Sequence, residues 1–578
     1  MFTIRRNSKS GCGTCKARKV KCDEGKPVCS RCRTTGRTCE GYGIWGGGGN
    51  SYAERYVTTQ PTRSPLPNSI AKPPTKAISH EELRYLQLYR IRVVHTTSGW
   101  FGSQFWYSIV LPAASSEPAI LHAAIALSAA HRCNFGQEHA PDVRERFILQ
   151  QYSKAIGSLQ PLMRHYDRAS ISVVLIACQL FAFLEYIRGK HSLAGIHLRN
   201  GLSLIKGIST DNTSSQHGVV LGFPSRIRVL DKAIVQSFAN VHMLAGLFGH
   251  SLQGVDVFLQ SIETDMPDPT FSNPQAAKES LVRLLHRIVL ISQRFREKGV
   301  GDEDDWSALS VAKEQINNLL ATWYETYLRT VPEIETRTAA HRRALDVSLP
   351  LAFGTQTPST KLPILREPTS YKLLLMYHAM ATIMCKSLGS HFESRYEAYT
   401  NEFISILEHA VDLFHKYALA LAIPGNINLH HSIAEFGFIP PLYYTAIKCR
   451  VHRIRLHAIM LLRQIPIKEV TWDSSLTANI AQKVVELEEQ GVYCGLDADE
   501  EFPLFEAPRR EERGVLREPE SNLFHDVQVK MLDDFTSKAV ITCKRWRVDG
   551  SLETLICHIT GGGGLEDEGT TSSKYNFI

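Results

Sequence analysis

Six cysteines near the beginning of the chain have the side-chain chemistry and the spacing of a metal centre. They are Cys12, Cys15, Cys22, Cys29, Cys32 and Cys39, and the second half of this pattern repeats the first. The first residues have no apolar signal-peptide core, which indicates a reducing compartment inside the cell. Thiols there favour metal binding over disulfides, and six thiolates select zinc or an iron–sulfur centre.

The number of ligands limits how this repeat can bind zinc. Two separate tetrahedral zinc ions require four ligands each, whereas the repeat supplies six thiolates. Two of the thiolates must therefore bridge both ions. The symmetry of the repeat makes the first cysteine of each half, Cys12 and Cys29, the expected bridge.

The segment GCGTCKARKVKCDEGKPVCSRCRTTGRTCEGYG resembles the fungal zinc binuclear cluster family of transcription regulators at every cysteine. The resemblance implies a DNA-binding module over residues 1–43 that holds two zinc ions. The implied ligands are Cys12, Cys15, Cys22 and Cys29 for one ion, and Cys29, Cys32, Cys39 and Cys12 for the other. The resemblance also implies that Pro27 shapes the link between the halves and that the module reads CGG-like triplets in double-stranded DNA.

Positive charge is concentrated in the same module. Residues 1–40 contain eleven Lys or Arg and three acidic residues, whereas the whole chain of 578 residues has a net charge of +7. Such a basic segment indicates contact with nucleic acid. Because four of the six residues 16–21 are basic, we expect the first half to enter the major groove. The resemblance assigns base contacts to Arg18 and Lys19. The residues expected to contact phosphates are Lys16, Lys21, Arg31 and Arg33.

A segment rich in Gly and Pro, residues 44–79, follows the module. It contains four consecutive glycines and five prolines, a composition typical of a linker that is flexible at first and then stiffer. No heptad repeat is sustained in it, so the sequence does not favour a coiled-coil dimer. The sequence allows two modes of DNA binding, as a monomer or as a homodimer that forms through the next domain.

Helical periodicity extends from residue 80 to about residue 560. The predicted helices include 148–159, 194–205, 277–297, 308–329, 370–387, 401–421, 442–463 and 475–489. Asp473 or Ser474 is expected to cap the last one. Gly189 separates two helical segments and predicts a hairpin between them. We find no alternating strand pattern, so the predicted fold class is mostly α, with a large all-α regulatory domain of packed helical hairpins.

Several segments of this region resemble the second type of fungal-specific transcription factor domain. They are SEPAILHAAIALSAAH, QQYSKAIGSL, FLEYIRGKHSLAGIHLRNGLSLI, KCRVHRIRLHAIMLLRQ and TWDSSLTANIAQKVVELEE. The resemblance implies that residues 80–560 regulate transcription in a fungal nucleus. It further implies partners in the transcription machinery or among co-regulators.

Three other segments carry weaker signals. The most apolar run, residues 171–187, contains Glu185 and is shorter than a membrane span of about 20 residues, so we expect a buried helix rather than a membrane contact. Residues 496–507 mix acidic and aromatic side chains, which suits an acidic activation segment but is more common in an acidic surface loop. Residues 561–578 are expected to form a disordered tail.

The sequence shows no catalytic pattern that holds. His80 and Glu81 begin like a zinc-protease helix, but Arg84 stands where the second histidine is required. The predicted function is therefore a zinc-dependent, sequence-specific DNA-binding regulator of RNA polymerase II genes in the nucleus, and not an enzyme. The alternatives are a nuclear scaffold or co-regulator whose zinc cluster is structural, and an enzyme with an appended zinc module.

Overall fold

The computed structural model describes part of the cysteine-rich module and most of the region that follows the linker. The described residues are 12, 14–15, 18, 20–25, 28–36, 39, 78–132, 141–164, 167–210, 232–247, 269–298, 303–347, 362–389, 392–421, 432–464, 467–490, 492–493, 504–508, 519–533, 539–559, 565–566 and 570–573. Except for its last two residues, the predicted linker 44–79 lies outside them.

Helices dominate the described residues and confirm the mostly α fold class. They are α1 (Ser30–Thr34), α2 (His80–Leu88), α3 (Val94–Thr97), α4 (Leu111–Ser116), α5 (Pro118–Arg132), α6 (Pro141–Leu159), α7 (Arg168–Ile187), α8 (His191–Thr210), α9 (Lys232–Leu247), α10 (Pro274–Lys298), α11 (Glu303–Val347), α12 (Leu362–Lys386), α13 (Thr400–Leu421), α14 (Ile439–Lys448), α15 (His452–Gln464) and α16 (Ser474–Glu489). The strands are β1 (Ser432–Ile433), β2 (Lys468–Glu469), β3 (Trp472–Asp473), β4 (Asp526–Met531), β5 (Ala539–Trp546), β6 (Leu552–Ile559), β7 (Leu565–Glu566) and β8 (Thr570–Ser573).

Neighbouring helices pack as hairpins around one large apolar core, with α5 against α6, α7 against α8, and α12 against α13. The predicted hairpin at Gly189 is confirmed. Gly189 has a φ of 72° in the short connection between α7 and α8, a backbone conformation that favours glycine. The helix Ala169–Ile187 is long and apolar enough to cross a membrane, but 78% of it is buried within the folded chain. Its burial agrees with the predicted core helix.

The predicted helix 442–463 is wrong in one respect, because the structure divides it into α14 and α15. Cys449 is extended, with φ −65° and ψ 142°, and the break turns basic side chains toward buried carboxylates. Lys448 Nζ lies 2.9 Å from a Glu393 oxygen, and Arg450 Nη1 lies 3.1 Å from a Glu488 oxygen. These ion pairs form at the break, where the apolar periodicity predicted an uninterrupted helix.

The same cluster of ion pairs joins α15 to the end of α16. Arg455 contacts both Glu488 and Glu489 at the C-terminal end of α16. Burial by itself raises the pKa of the Glu488 carboxyl, but the guanidiniums of Arg450 and Arg455 hold it below its ordinary value. Because buried charges need partners, these groups fix the positions of three successive helices.

A C-terminal antiparallel sheet was not expected, and it corrects the prediction that the domain after residue 80 is all-α. β4, β5 and β6 pair in sequence order, and both β7 and β8 pair with β6. β5 has strictly alternating burial. The sequence does not show this alternation, because a charged residue, Arg545, lies on the buried face and an apolar one, Trp546, on the more exposed face. Arg545 is paired there with Glu553 on β6 at 2.5 Å. β7 and β8 also lie in the segment that was expected to be a disordered tail.

Part of the acidic segment 496–507 packs on the helical domain. His457 Nε2 lies 2.8 Å from the carbonyl oxygen of Leu504, and His415 Nε2 lies 2.8 Å from that of Phe505. The ring of Phe505 also contacts that of His415. This end of the segment is therefore fixed on α13 and α15, while residues 496–503 lie outside the described part of the chain.

A buried carboxylate caps the start of α14. Glu469 on β2 accepts hydrogen bonds from the backbone amides of Phe438, at 2.9 Å, and Ile439, at 3.2 Å. A side chain at Gly437 would place its Cβ 1.9 Å from the Glu469 carboxylate, so this close approach requires glycine. Burial raises the pKa of Glu469 to about 8, although the two amides oppose the shift.

The raised pKa of Glu469 predicts a loss of stability with rising pH. The folded chain keeps a proton on Glu469 that the unfolded chain releases near its usual pKa of 4.5. The free energy of unfolding should therefore fall by a few kcal/mol as the pH rises from about 4.5 to about 8. In Glu469→Gln, which is neutral at every pH, this fall should be smaller.

Urea unfolding of the full chain at several pH values measures this difference. The matched control is Glu325→Gln on α11. Glu325 is exposed and its carboxylate pairs with Arg329 at 3.2 Å, so this variant should keep the wild-type pH dependence. Equal pH dependence in Glu469→Gln and the wild type would contradict the assignment.

Candidate metal centre and nucleic-acid interface

Four cysteine sulfurs converge at the centre of the N-terminal module. The Sγ atoms of Cys12, Cys15, Cys29 and Cys32 all lie within 4.8 Å of one another, and all four residues are buried. The Sγ atoms of Cys12 and Cys29 are 3.6 Å apart, and those of Cys15 and Cys29 are 3.7 Å apart. Tetrahedral zinc with Zn–S bonds of about 2.3 Å separates its sulfur ligands by about 3.8 Å. These separations fit zinc thiolate geometry.

The separations among the four central sulfurs differ only slightly. Cys12 and Cys29, the predicted bridges, form the closest of the measured sulfur pairs. Cys15 and Cys32, which the implied ligand sets assign to different ions, are farther apart at 4.0 Å. Two tetrahedra that share the Cys12–Cys29 edge would place terminal sulfurs of different ions about 5 Å or more apart. The 4.0 Å separation of Cys15 and Cys32 instead fits four ligands of one ion.

The third cysteine of each half lies beside the central sulfurs. The Cys22 thiol is within hydrogen-bonding reach of Cys15, and the Cys39 thiol is within reach of Cys12. Cys22 is buried, whereas Cys39 is half-buried and packs against the other cysteines. The structure thus brings all six predicted cysteines together.

Backbone amides and burial show which charge state the sulfurs require. The amide of Cys15 donates to Cys12 Sγ at 3.4 Å, and the amide of Cys32 donates to Cys29 Sγ at 3.3 Å. Such N–H donors favour a thiolate acceptor. Without a cation, burial raises the pKa of the Cys29 thiol to about 12. Thiolates in this place therefore need a metal ion beside them, and sulfur ligands of this kind suit zinc.

Asp23 joins the two halves of the module, which sequence reasoning missed. Its carboxylate accepts hydrogen bonds from the amides of Ser30, at 3.0 Å, and Arg31, at 3.2 Å. These amides open α1, the helix that carries Cys32. The Ser30 amide holds the pKa of Asp23 at about 2, so the cap is charged at neutral pH. An acidic residue directly after the third cysteine was the available signal.

The predicted DNA-binding side chains that the structure describes are all exposed. They are Arg18, Lys21, Arg31 and Arg33. Lys16 and Lys19 lie outside the described residues. Arg31 and Arg33 belong to α1 in the second half, while Arg18 and Lys21 lie between Cys15 and Cys22 in the first half. Both halves therefore present positive charge to solvent.

Loss of the Asp23 cap should weaken metal retention. In Asp23→Ala, the amides of Ser30 and Arg31 lose their acceptor, so α1 should hold Cys32 less firmly at the cluster. We expect a chelator to remove zinc from the full chain several-fold faster in this variant. Asp23→Asn keeps an acceptor oxygen but loses the charge. Its rate of zinc loss should lie between the rates of the wild type and of Asp23→Ala. A rate in Asp23→Ala equal to that of the wild type would show that the cap has no such role.

Comparison with known families identifies both parts of the chain. Residues 10–44 match the fungal Zn(2)-Cys(6) binuclear cluster domain. Residues 84–416, more than half of the chain, match the fungal specific transcription factor domain. The first match contains all six cysteines, and the second begins in α2 and ends in α13. Zinc is the metal that the cluster domain binds.

Several relatives are transcription regulators of fungi. The aspercryptin biosynthesis cluster-specific transcription regulator of Emericella nidulans is 25% identical over 572 residues, which cover 86% of this chain and 90% of that protein. A Zn(2)-C6 fungal-type transcription factor of Aspergillus fumigatus is 28% identical over 340 residues, which cover 57% of this chain and 76% of that protein. The pestheic acid cluster transcriptional regulator 3 of Pestalotiopsis fici is 58% identical over 36 residues, 6% of each chain.

No solved structure gives a significant match to the chain. The cysteine geometry, the two matched domains and the relatives nevertheless agree with one another. The chain belongs to the family of fungal Zn(2)-Cys(6) transcription regulators, with a binuclear cluster domain followed by a fungal specific transcription factor domain.

Proposed function

We propose that this chain is a zinc-dependent regulator of RNA polymerase II genes that reads CGG-like triplets in the major groove. The observation that carries the proposal is the converged set of cysteines surrounded by exposed basic side chains. The family match supports DNA binding as such. The triplet and the polymerase come from the resemblance of the module to its family.

The electrostatics of the module suits a polyanionic ligand such as DNA. Two zinc ions and six thiolates have a net charge of about −2, which the surrounding Lys and Arg exceed. The excess positive charge attracts the phosphate backbone. Arg18 in the first half supplies the side chain best suited to guanine, because its donors match the O6 and N7 acceptors of that base.

We also propose that two zinc ions bind per chain and that Cys12 and Cys29 bridge them. The six-cysteine repeat and the match to the binuclear cluster domain support this arrangement. The separations among the four central sulfurs are those of a single ion held by Cys12, Cys15, Cys29 and Cys32. The number of bound ions distinguishes the two cases.

Zinc content tests the two-ion arrangement. Elemental analysis of the purified full chain should give about two zinc ions per chain. Cys29→Ser removes a ligand from both ions and should lower the content far below one. Cys385→Ser, which alters another buried free cysteine on α12, is the matched control and should keep two. One ion per wild-type chain would contradict the bridged pair.

The base and phosphate roles predict different DNA-binding defects. Arg18→Ala should cost about 1–3 kcal/mol on a CGG-containing duplex and relax discrimination at one base pair. Arg33→Ala should weaken binding to all duplexes about equally. It should also reduce the slope of log affinity against log salt concentration by about one. Titration of labelled duplexes with the full chain at several salt concentrations measures both effects. Unchanged affinity in Arg18→Ala would instead favour a scaffold or co-regulator with a structural cluster.

Location and partners follow from this function. Promoter DNA places the chain in the nucleus, and the basic residues of the module also suit a nuclear localisation signal. The helical domain is proposed to contact co-regulators or the transcription machinery, and it is the part through which a homodimer would form. Two of the relatives are named for biosynthetic gene clusters, which supports promoters of such a cluster as the targets.

A further inference from the structure

A hydrogen bond connects the proposed base-reading side chain to the opposite half of the module. Arg18 Nη1 donates to the hydroxyl oxygen of Thr35 at 3.3 Å. Arg18 lies between the second and third cysteines, whereas Thr35 follows α1 in the second half. Both residues are exposed, so this contact is accessible to a DNA ligand.

The Thr35 hydroxyl is itself held in a fixed direction. It donates its single hydrogen to the carbonyl oxygen of Arg31 at 2.7 Å. Its remaining lone pairs are then available to accept from Arg18. Two contacts hold α1 in place. Its residue Cys32 belongs to the cysteine cluster, and the Asp23 carboxylate accepts hydrogen bonds from its first amides. The acceptor that meets Arg18 therefore belongs to a rigid part of the module.

The chemistry of the guanidinium makes this contact compatible with reading a base. An arginine has five N–H donors in a planar fork. With Nη1 engaged by Thr35, the edge formed by Nε and Nη2 has the geometry to donate two parallel hydrogen bonds. The O6 and N7 atoms of guanine accept such a pair. An arginine already fixed in place also loses less rotamer freedom when it binds.

We propose that Thr35 is a positioning residue, which orients the Arg18 guanidinium for base recognition. The second half of the module then sets the specificity of the first half, in addition to contacting phosphates. This inference rests on the proposed base contact of Arg18. It predicts that Thr35 affects discrimination between sequences and not merely affinity or metal content.

The chain contains a closely matched control for Thr35. The neighbouring Thr34 is also exposed, and its hydroxyl donates to the carbonyl oxygen of Ser30 at 2.8 Å. This bond has the same i−4 geometry as the bond from Thr35 to Arg31. Thr34→Val therefore removes the same type of local bond as Thr35→Val, but leaves the Arg18 contact in place.

The experiment compares four variants of the full, zinc-loaded chain: Thr35→Val, Thr34→Val, Arg18→Ala and the double variant Arg18→Ala/Thr35→Val. The probes are a duplex with a CGG triplet and duplexes with one base pair of that triplet changed. Thr35→Val should lose about fivefold in affinity for the CGG duplex, and less than that for the changed duplexes, so discrimination falls. Thr34→Val should stay within about twofold of the wild type. All variants should keep the wild-type zinc content and salt slope.

The double variant tests whether Thr35 acts through Arg18. It should bind no more weakly than Arg18→Ala alone, because Thr35 has nothing left to orient. A full additional loss in the double variant would overturn the positioning role, as would a Thr35→Val that matches Thr34→Val while Arg18→Ala loses discrimination. If Arg18→Ala itself loses no discrimination, the proposed base contact fails, and the role of Thr35 fails with it.

Discussion

The bond between thiolate and metal is the interaction on which the N-terminal module depends. Buried residues of the module form a cluster that consists of cysteines, whereas Val20 and Val28 are exposed. An apolar core of this size is too small to offset the conformational entropy of folding. Metal coordination must supply the folding free energy instead. Every proposed contact with DNA, including the position of Arg18, depends on a cluster assembled in this way.

The two parts of the chain share one device for fixing helices, although their cores differ. Carboxyl groups accept the free amides at helix starts: Asp23 at α1, Glu469 at α14 and Asp473 at α16. The charged Asp23 also complements the helix dipole. In the module the carboxylate ties the two zinc-binding halves together. In the helical domain Glu469 on β2 caps α14, while the buried ion pairs of Arg450 and Arg455 with Glu488 tie α15 to α16.

The sequence predicted features that depend on neighbouring residues better than features that depend on distant ones. The cysteine cluster and the Asp473 cap were predicted because their residue types and spacings are local. The break at Cys449 was not, because the buried acceptor Glu393 lies far away in the sequence. The strand β5 was missed because Arg545 points inward, where its charge is neutralised by Glu553. The roles of Asp23 and Thr35 were not predicted. Each contacts residues of the other half of the module, and these contacts form only when the two halves fold together.

The central claim is that a zinc-assembled cluster reads a specific triplet. Selection of bound sequences from a random duplex pool by the full chain, with zinc and with a chelator, tests it most directly. The account predicts enrichment of a CGG-like triplet that disappears when zinc is removed. Single triplets would indicate a monomer and paired triplets a homodimer through the helical domain. Absence of any enriched sequence with zinc present would contradict the account and leave the cluster a structural element of a scaffold.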